Sequence, residues 1–167
     1  CYGCSLHCHE GHDVLELFTK RRFKCDCGNS KFATKCTLFE NKSATNERNA
    51  YGHNYVGKYC TCERPYPDAE RPDVSPMMYQ CVVCEDWFHT EHMELAQTAN
   101  IDTTEFACGP CTQKLPFLAK VHVDAPAPET MQCVEMTEVA DTKGVFLAND
   151  WRARLCACSK WADVYDR

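Results

Sequence analysis

Residues 59–111 constrain the fold of this chain more than any other stretch, because they hold eight potential zinc ligands in four short pairs. The pairs are Cys60/Cys62, Cys81/Cys84, His89/His92 and Cys108/Cys111. Zinc takes four borderline or soft ligands in a tetrahedron, and a short Cys or His pair places two of them without straining the backbone. Four pairs make two sites. The repeated C-x-x-C, the central H-x-x-H and the aromatic pair Trp87-Phe88 before it predict a module built on two Zn2+ ions.

Composition agrees. The chain has 15 cysteines in 167 residues, with short apolar runs and long polar loops, so metal is expected to replace much of the hydrophobic core. The fold class expected is small zinc-stabilised α+β modules, loop-rich. A secreted disulfide scaffold is the alternative, but the cysteine count is odd, C-x-C pairs are poorly shaped to bridge to each other, and histidines interleave with the cysteines. One glycosylation sequon, Asn41-Lys42-Ser43, is short enough to arise by chance. No apolar run is long enough to span a membrane, and no membrane partner is expected. The chain starts at a cysteine, which reads as a trimmed piece of a longer protein. Lys and Arg set against Asp and Glu give +3 over residues 1–58, −7 over 59–115 and −2 over the remainder. The acidic centre speaks against direct nucleic-acid binding and suits a basic partner, or is a plain solvated surface.

The order of pairs resembles a PHD finger, with four cysteines, a histidine and three further cysteines. The resemblance implies a cross-brace, in which Cys60, Cys62, His89 and His92 hold one zinc and Cys81, Cys84, Cys108 and Cys111 the other. His92 stands where the family usually has cysteine, and histidine is itself a good zinc ligand. The Trp87-Phe88-His89 run looks more like a PHD than a RING finger. In histone-reading PHD fingers a tryptophan, an aromatic and a methionine at matching places surround a methylated lysine by cation–π attraction. The matching residues are Trp87, Tyr59 and Met78. Read from the residues alone, Phe88 is core between the two zincs, while Trp87 serves equally as core or as cage wall.

Residues 1–58 open with CYGCSLHCHEGH and continue through DVLELFTKRRF, which has β-like content, into CDCG and Cys36. The C-x-x-C, the H-x-x-H and above all F-x-C-D-C-G resemble a UBR box, the zinc domain that recognises N-terminal degradation signals in N-recognins. The resemblance implies that Cys1, Cys4 and Cys25 share one site and that Cys4 bridges to Cys27 and Cys36 in a second. It makes His9 and His12 half of a third. The family's histidine after the last cysteine is Phe39 here; His53 or Cys8 is the substitute, with His53 preferred. Asp26 matches an aspartate of the family's acidic degron pocket, or it orients the zinc cysteines. A second pocket aspartate is replaced by the neutral Asn29, so an N-terminal arginine is expected to bind poorly.

Residues 37–58 read as a polar linker. ERPYPDAERPDVSP is a proline-broken loop, MMYQC a short strand, MELAQTANIDTTEF an excursion with some helical content. KLPFLAKVHV forms a closing helix interrupted at Pro116. The boundaries expected are 1–58 (UBR-box-like domain and linker), 59–115 (PHD-type finger) and 116–167. The last segment carries WRARLCACSKW, similar to the W-R-x-x-L-C-x-C-x-x-C of proteins that combine a UBR box with a PHD finger. Trp161 replaces the third cysteine, so a site with Cys156, Cys158 and either Cys133 or His122 stays open. The three motifs in this order identify the chain as a member of that family within the N-recognins. Membership implies an E3 ubiquitin-protein ligase acting on a protein substrate through a ubiquitin-charged E2. It implies no catalytic residue of its own, catalysis by positioning, and nuclear or cytoplasmic location. The alternative is a non-catalytic reader of a histone tail.

Overall fold

The structure is a computed structural model describing residues 1–18, 20–73, 77–93, 105–125, 144–156 and 159. The chain divides into two compact units, Cys1–Val56 and Gly57–Arg167.

In the first unit the described residues contain one short helix, α1 (Tyr2–His7), and a 3-10 turn at His53–Val56. Residues 13–18 and 20–24 form no strand. Their β-like composition finds no partner ladder, without which an extended segment is not stable. Among the described residues the buried apolar cluster is Cys4, Cys27 and Cys36. Several large apolar side chains, among them Leu6, Val14, Leu15 and Phe18, stay exposed. The fold here is held by turns and polar contacts. Gly28 is required by one of them: its φ is +76°, and a Cβ at this position would lie 2.3 Å from the Cys36 backbone nitrogen. The C-D-C-G turn can close on Cys36 only without a side chain.

The second unit has two small antiparallel sheets. Strand β1 (Met78–Gln80) pairs with β2 (Trp87–His89), in register Met78–His89, Tyr79–Phe88 and Gln80–Trp87. Side chains alternate, so Tyr79 and Phe88 share the face that meets Phe146 and Phe106 edge-on. Strand β3 (Phe106–Ala107) pairs with β4 (Val145–Phe146). Helix α2 (Gly109–Lys114) begins at Cys108 and stops at Leu115, where the following Pro116 forbids helical backbone. The chain resumes as a 3-10 turn, Pro116–Lys120.

Residues 116–125 and 144–156, which the sequence sets apart as a C-terminal segment, pack into this unit. Ala107, Phe117, Leu118, Val121, Val145 and Leu147 form one core, with Trp151 and Leu155 packed against it. The Trp-Arg motif explains the attachment. Trp151 Nε1 donates to Glu105 at 2.5 Å, and the Arg152 guanidinium grips both carboxylate oxygens of Glu105 at 2.5 and 3.0 Å. Arg154 donates to Asp150 at 2.8 Å and to the Ala125 carbonyl at 3.1 Å.

Candidate metal centres

In each finger-like pair of the second unit the backbone turns sharply to present its sulfurs. Glu63 and Glu85, each directly after the second cysteine of a pair, have φ near +53° and +62°. Their N–H groups close onto the carbonyls of Cys60 (3.2 Å) and Cys81 (2.9 Å). The first cluster gathers Cys60, Cys62, His89 and His92, with ligand atoms within 4.8 Å of one another. Cys62 Sγ lies 3.4 Å from His89 Nδ1 and Cys60 Sγ 3.5 Å from His92 Nδ1. The second gathers Cys81, Cys84, Cys108 and Cys111, with Cys84 and Cys108 sulfurs 3.7 Å apart.

These separations test the fit of a metal. A tetrahedron with zinc–sulfur bonds of about 2.3 Å has sulfur–sulfur edges of about 3.8 Å, and a mixed sulfur–nitrogen edge is about 3.5 Å. Both clusters have these edges, and both donor sets, S4 and N2S2, are those zinc prefers. The interleaving of the pairs is that of a cross-brace.

The electrostatics agree. The Cys81 thiol is held far below the ordinary range by hydrogen bonds from Cys108, Cys111 and Cys84, and its sulfur also accepts the Val83 and Cys108 backbone N–H groups at 3.4 and 3.3 Å. Cys108 is pushed up by Cys111, Cys81 and Cys84. Four thiols this close cannot all ionise unless a cation joins them. His89 is shifted down by burial and by His92, which keeps its imidazole neutral, the form that ligates.

In the first unit Cys4, Cys8, Cys27 and Cys36 form a third cluster, and Cys1, Cys4 and Cys25 a fourth. Cys4 belongs to both. Its sulfur is 3.7 Å from that of Cys36, and Cys8 is 3.9 Å from Cys36, again tetrahedral edges. The preference for His53 is corrected here: Cys8 takes the place beside Cys4, Cys27 and Cys36. Cys8 caps α1, its N–H bonding the Cys4 carbonyl at 2.9 Å. The i,i+4 spacing puts both thiols on one helix face, whereas His53 sits in the 3-10 turn outside the cluster. His9 and His12 are brought together, ring centroids 5.3 Å apart, but join no group of three or more ligands among the described residues.

The candidate lysine cage divides. Met78 and Trp87 stand diagonally on one face of the β1–β2 ladder, both half-buried. Tyr59 is buried, and loss of solvent raises its hydroxyl's pKa. It therefore offers no open ring face, a correction to its place in the cage. Cys133 and Cys158 lie outside the described residues; Cys156 is buried, and His122 is engaged in a bridge to Leu147.

Asp26 is a hub. Its Oδ1 accepts amide N–H groups from Asn29 (2.6 Å), Asn46 (2.7 Å) and Asn49 (3.3 Å). Its Oδ2 accepts the Tyr51 hydroxyl and the Lys31 ammonium, the latter at 3.4 Å. Burial works against the charge, but the bonds from Tyr51, Asn46 and Lys31 outweigh it and hold the carboxyl down to about 2. Asn29, the neutral residue in the place of the pocket aspartate, is buried and serves this network.

The domain types defined by these clusters are both zinc-binding. Residues 54–122 match the family model described as "UBR7-like PHD finger", and residues 1–42 the one described as "Putative zinc finger in N-recognin (UBR box)". The chain thus carries a UBR box followed by a UBR7-like PHD finger, the pair of domains that marks the UBR-box/PHD-finger proteins of the N-recognin family, and is similar to them. It is 49% identical over 119 residues to "Putative E3 ubiquitin-protein ligase UBR7" of Mus musculus, covering 71% of this chain and 28% of the relative. It is 32% identical over 165 residues to "Protein mlo2" of Schizosaccharomyces pombe, covering 95% of this chain and 46% of that protein. The chain thus spans less than half the length of either relative. A shorter match, 36% over 53 residues, covers 32% of this chain and 8% of "Lysine-specific demethylase 7B" of Danio rerio. No solved structure matches the chain significantly.

Proposed function

We propose that this chain is the zinc-bound recognition and docking part of an E3 ubiquitin-protein ligase. Two zincs sit in the second unit, and two that share Cys4 sit in the first. The observation that carries the reading is the use of the cysteines. Among the described residues every cysteine except the buried Cys156 lies in a metal cluster. Among the described residues that leaves no exposed thiol poised to carry ubiquitin as a thioester. Catalysis then falls to the E2, whose thioester the finger would hold near a substrate lysine. The metal keeps the platform folded; the residues that ligate it do no chemistry on ubiquitin. The site of action proposed is nuclear or cytoplasmic.

The test is discharge of ubiquitin from a panel of charged E2 enzymes, comparing the chain with its Cys81→Ser variant. Acceleration that the substitution removes supports the ligase reading. No acceleration by the wild-type chain with any E2 sinks it.

A second reading, a histone-tail reader, is favoured by the shared face of Met78 and Trp87, by the acidic charge of residues 59–115 and by the short match to a lysine demethylase. Its measure is the affinity of lysine-methylated histone-tail peptides for wild-type protein and for Trp87→Ala.

A further inference from the structure

Residues 20–24 read K-R-R-F-K, and no carboxylate occurs in residues 17–25 or 48–56. The structure brings these two stretches side by side. The Asn49 amide brackets the Lys24 backbone, accepting its N–H at 2.8 Å and donating to its carbonyl at 2.8 Å. Lys20 Nζ donates to Asn54 Oδ1 at 3.1 Å. The Phe23 ring meets Tyr51 edge-on at 5.6 Å and stacks on Tyr55 at 5.4 Å. Arg48, the neighbour of Asn49, is thereby held at the Lys24 end of the strip. Arg21, Arg22, Lys24 and Arg48 are all exposed, and Tyr51 keeps 44% of its surface open. Among the described residues neither Lys24 nor Arg48 pairs with a carboxylate. Arg22 adds a second observation. Its φ is +55°, a left-handed backbone that suits glycine or asparagine and strains any longer side chain. Strain of this kind marks residues kept for contact with a ligand.

Four exposed cations on adjoining stretches match a repeating anion better than a single charge. Three of them are arginines, whose planar fork fits phosphate oxygens. The half-open aromatic cluster in the same strip supplies a surface on which an unpaired base can stack. We infer that this strip of the first unit binds single-stranded nucleic acid, with phosphates on Arg21, Arg22, Lys24 and Arg48 and a base against Tyr51. The acidic centre that speaks against nucleic acid lies in residues 59–115, whereas residues 1–58 carry +3. The inference is independent of the ligase reading, since it concerns the first unit alone and needs no E2.

The experiment measures fluorescence anisotropy of a labelled oligothymidine of about 20 nucleotides with the full chain, between about 50 and 200 mM salt. Four neutralised phosphates on a single strand give a log–log slope of about −2.8, so affinity should fall roughly fiftyfold over that range. Arg21→Gln/Arg22→Gln should bring the slope to about −1.4 and weaken binding at the low-salt end roughly sixtyfold. An unchanged slope in this variant, at unchanged zinc content, overturns the proposal. Arg21→Lys/Arg22→Lys keeps both charges and should keep the slope; loss of the slope there too would trace the effect to the fold and overturn it. Lys114→Gln/Lys120→Gln removes the same charge from the second unit and should bind like wild type. An equal loss in that control would reduce the contact to diffuse charge, against the proposal. Two further probes fix the class of partner. An abasic strand of equal length should bind roughly tenfold more weakly for want of stacking, and equal binding would sink the nucleic-acid assignment. Polyglutamate of matched charge should not displace the strand; displacement at equal concentration would make the partner an acidic protein instead.

Discussion

The two halves of this chain solve the same problem with different means. The first unit buries little beyond its own ligand cysteines and leaves Leu6, Val14, Leu15 and Phe18 in solvent. The second surrounds its clusters with Phe88, Phe106 and Phe146 and adds a separate core of Leu118, Val121 and Leu147. A metal bound in the first unit would replace a core. In the second it would supplement one. The same ligand chemistry is therefore expected to give different dependence on the ion.

Chelation is the strongest way to test that contrast. Structural zinc supplies on the order of 10 kcal/mol or more to small domains at neutral pH. Stripping the metal should abolish all protected amides in residues 1–56, while residues 106–122 and 145–147 keep partial protection; uniform loss in hydrogen exchange would erase the distinction. Metal analysis of the loaded protein should find two tightly held zincs attributable to residues 59–111.

Next in size is Phe146→Ala. It empties a fully buried site in the core beside the metal clusters and should cost about 3–5 kcal/mol in the second unit, with the first unit's metal content unchanged. Gly28→Ala is the counterpart in the first unit. It forces a Cβ against Cys36 at a positive φ and should cost about 3 kcal/mol, seen as loss of metal from the Cys4 clusters alone. Glu105→Gln loosens the grip of Trp151 and Arg152. The groups are exposed, so the expected change is about 1 kcal/mol or less, read as faster exchange at Val145 and Phe146.

The smallest effect concerns acid. Asp26 is held at about 2, below its ordinary 3.8. A carboxyl depressed on folding contributes stability that is complete above its unfolded value and is lost only as pH falls toward the folded one. Between pH 7 and 4 the Asp26→Asn and wild-type proteins should therefore release zinc along parallel curves, with the slope set by protonation of the cysteines. Divergence of the curves in that range would show Asp26 titrating higher.

Much of this was legible in the residues. The pairs at Cys60, Cys81, His89 and Cys108 carry the cross-brace in their order. MMYQC announces a strand, and Pro116 announces the break after α2. The signal for Cys8 was present as an i,i+4 spacing from Cys4, but a six-residue helix without an amphipathic stripe gives periodicity nothing to act on. Tyr59 looked like a cage wall because its neighbour is a ligand, and proximity along the chain does not say which way a ring points. The Trp151-Arg152 clamp on Glu105 spans more than forty residues, and no local rule reaches that far. The Asp26 hub was hidden for the same reason: Asn29 is local, but Asn46, Asn49 and Tyr51 lie 20, 23 and 25 residues downstream.

The interleaved ligand order also has a consequence in time. Synthesis delivers the chain from its N-terminus, and in residues 57–167 the first four thiols to emerge are Cys60, Cys62, Cys81 and Cys84. They belong to two different clusters. A nascent chain thus offers zinc a complete set of four thiolates before His89, His92, Cys108 and Cys111 exist to claim their partners. Were zinc to settle on that provisional set, reaching the cross-brace would require it to change hands, and the finger would mature by ligand exchange.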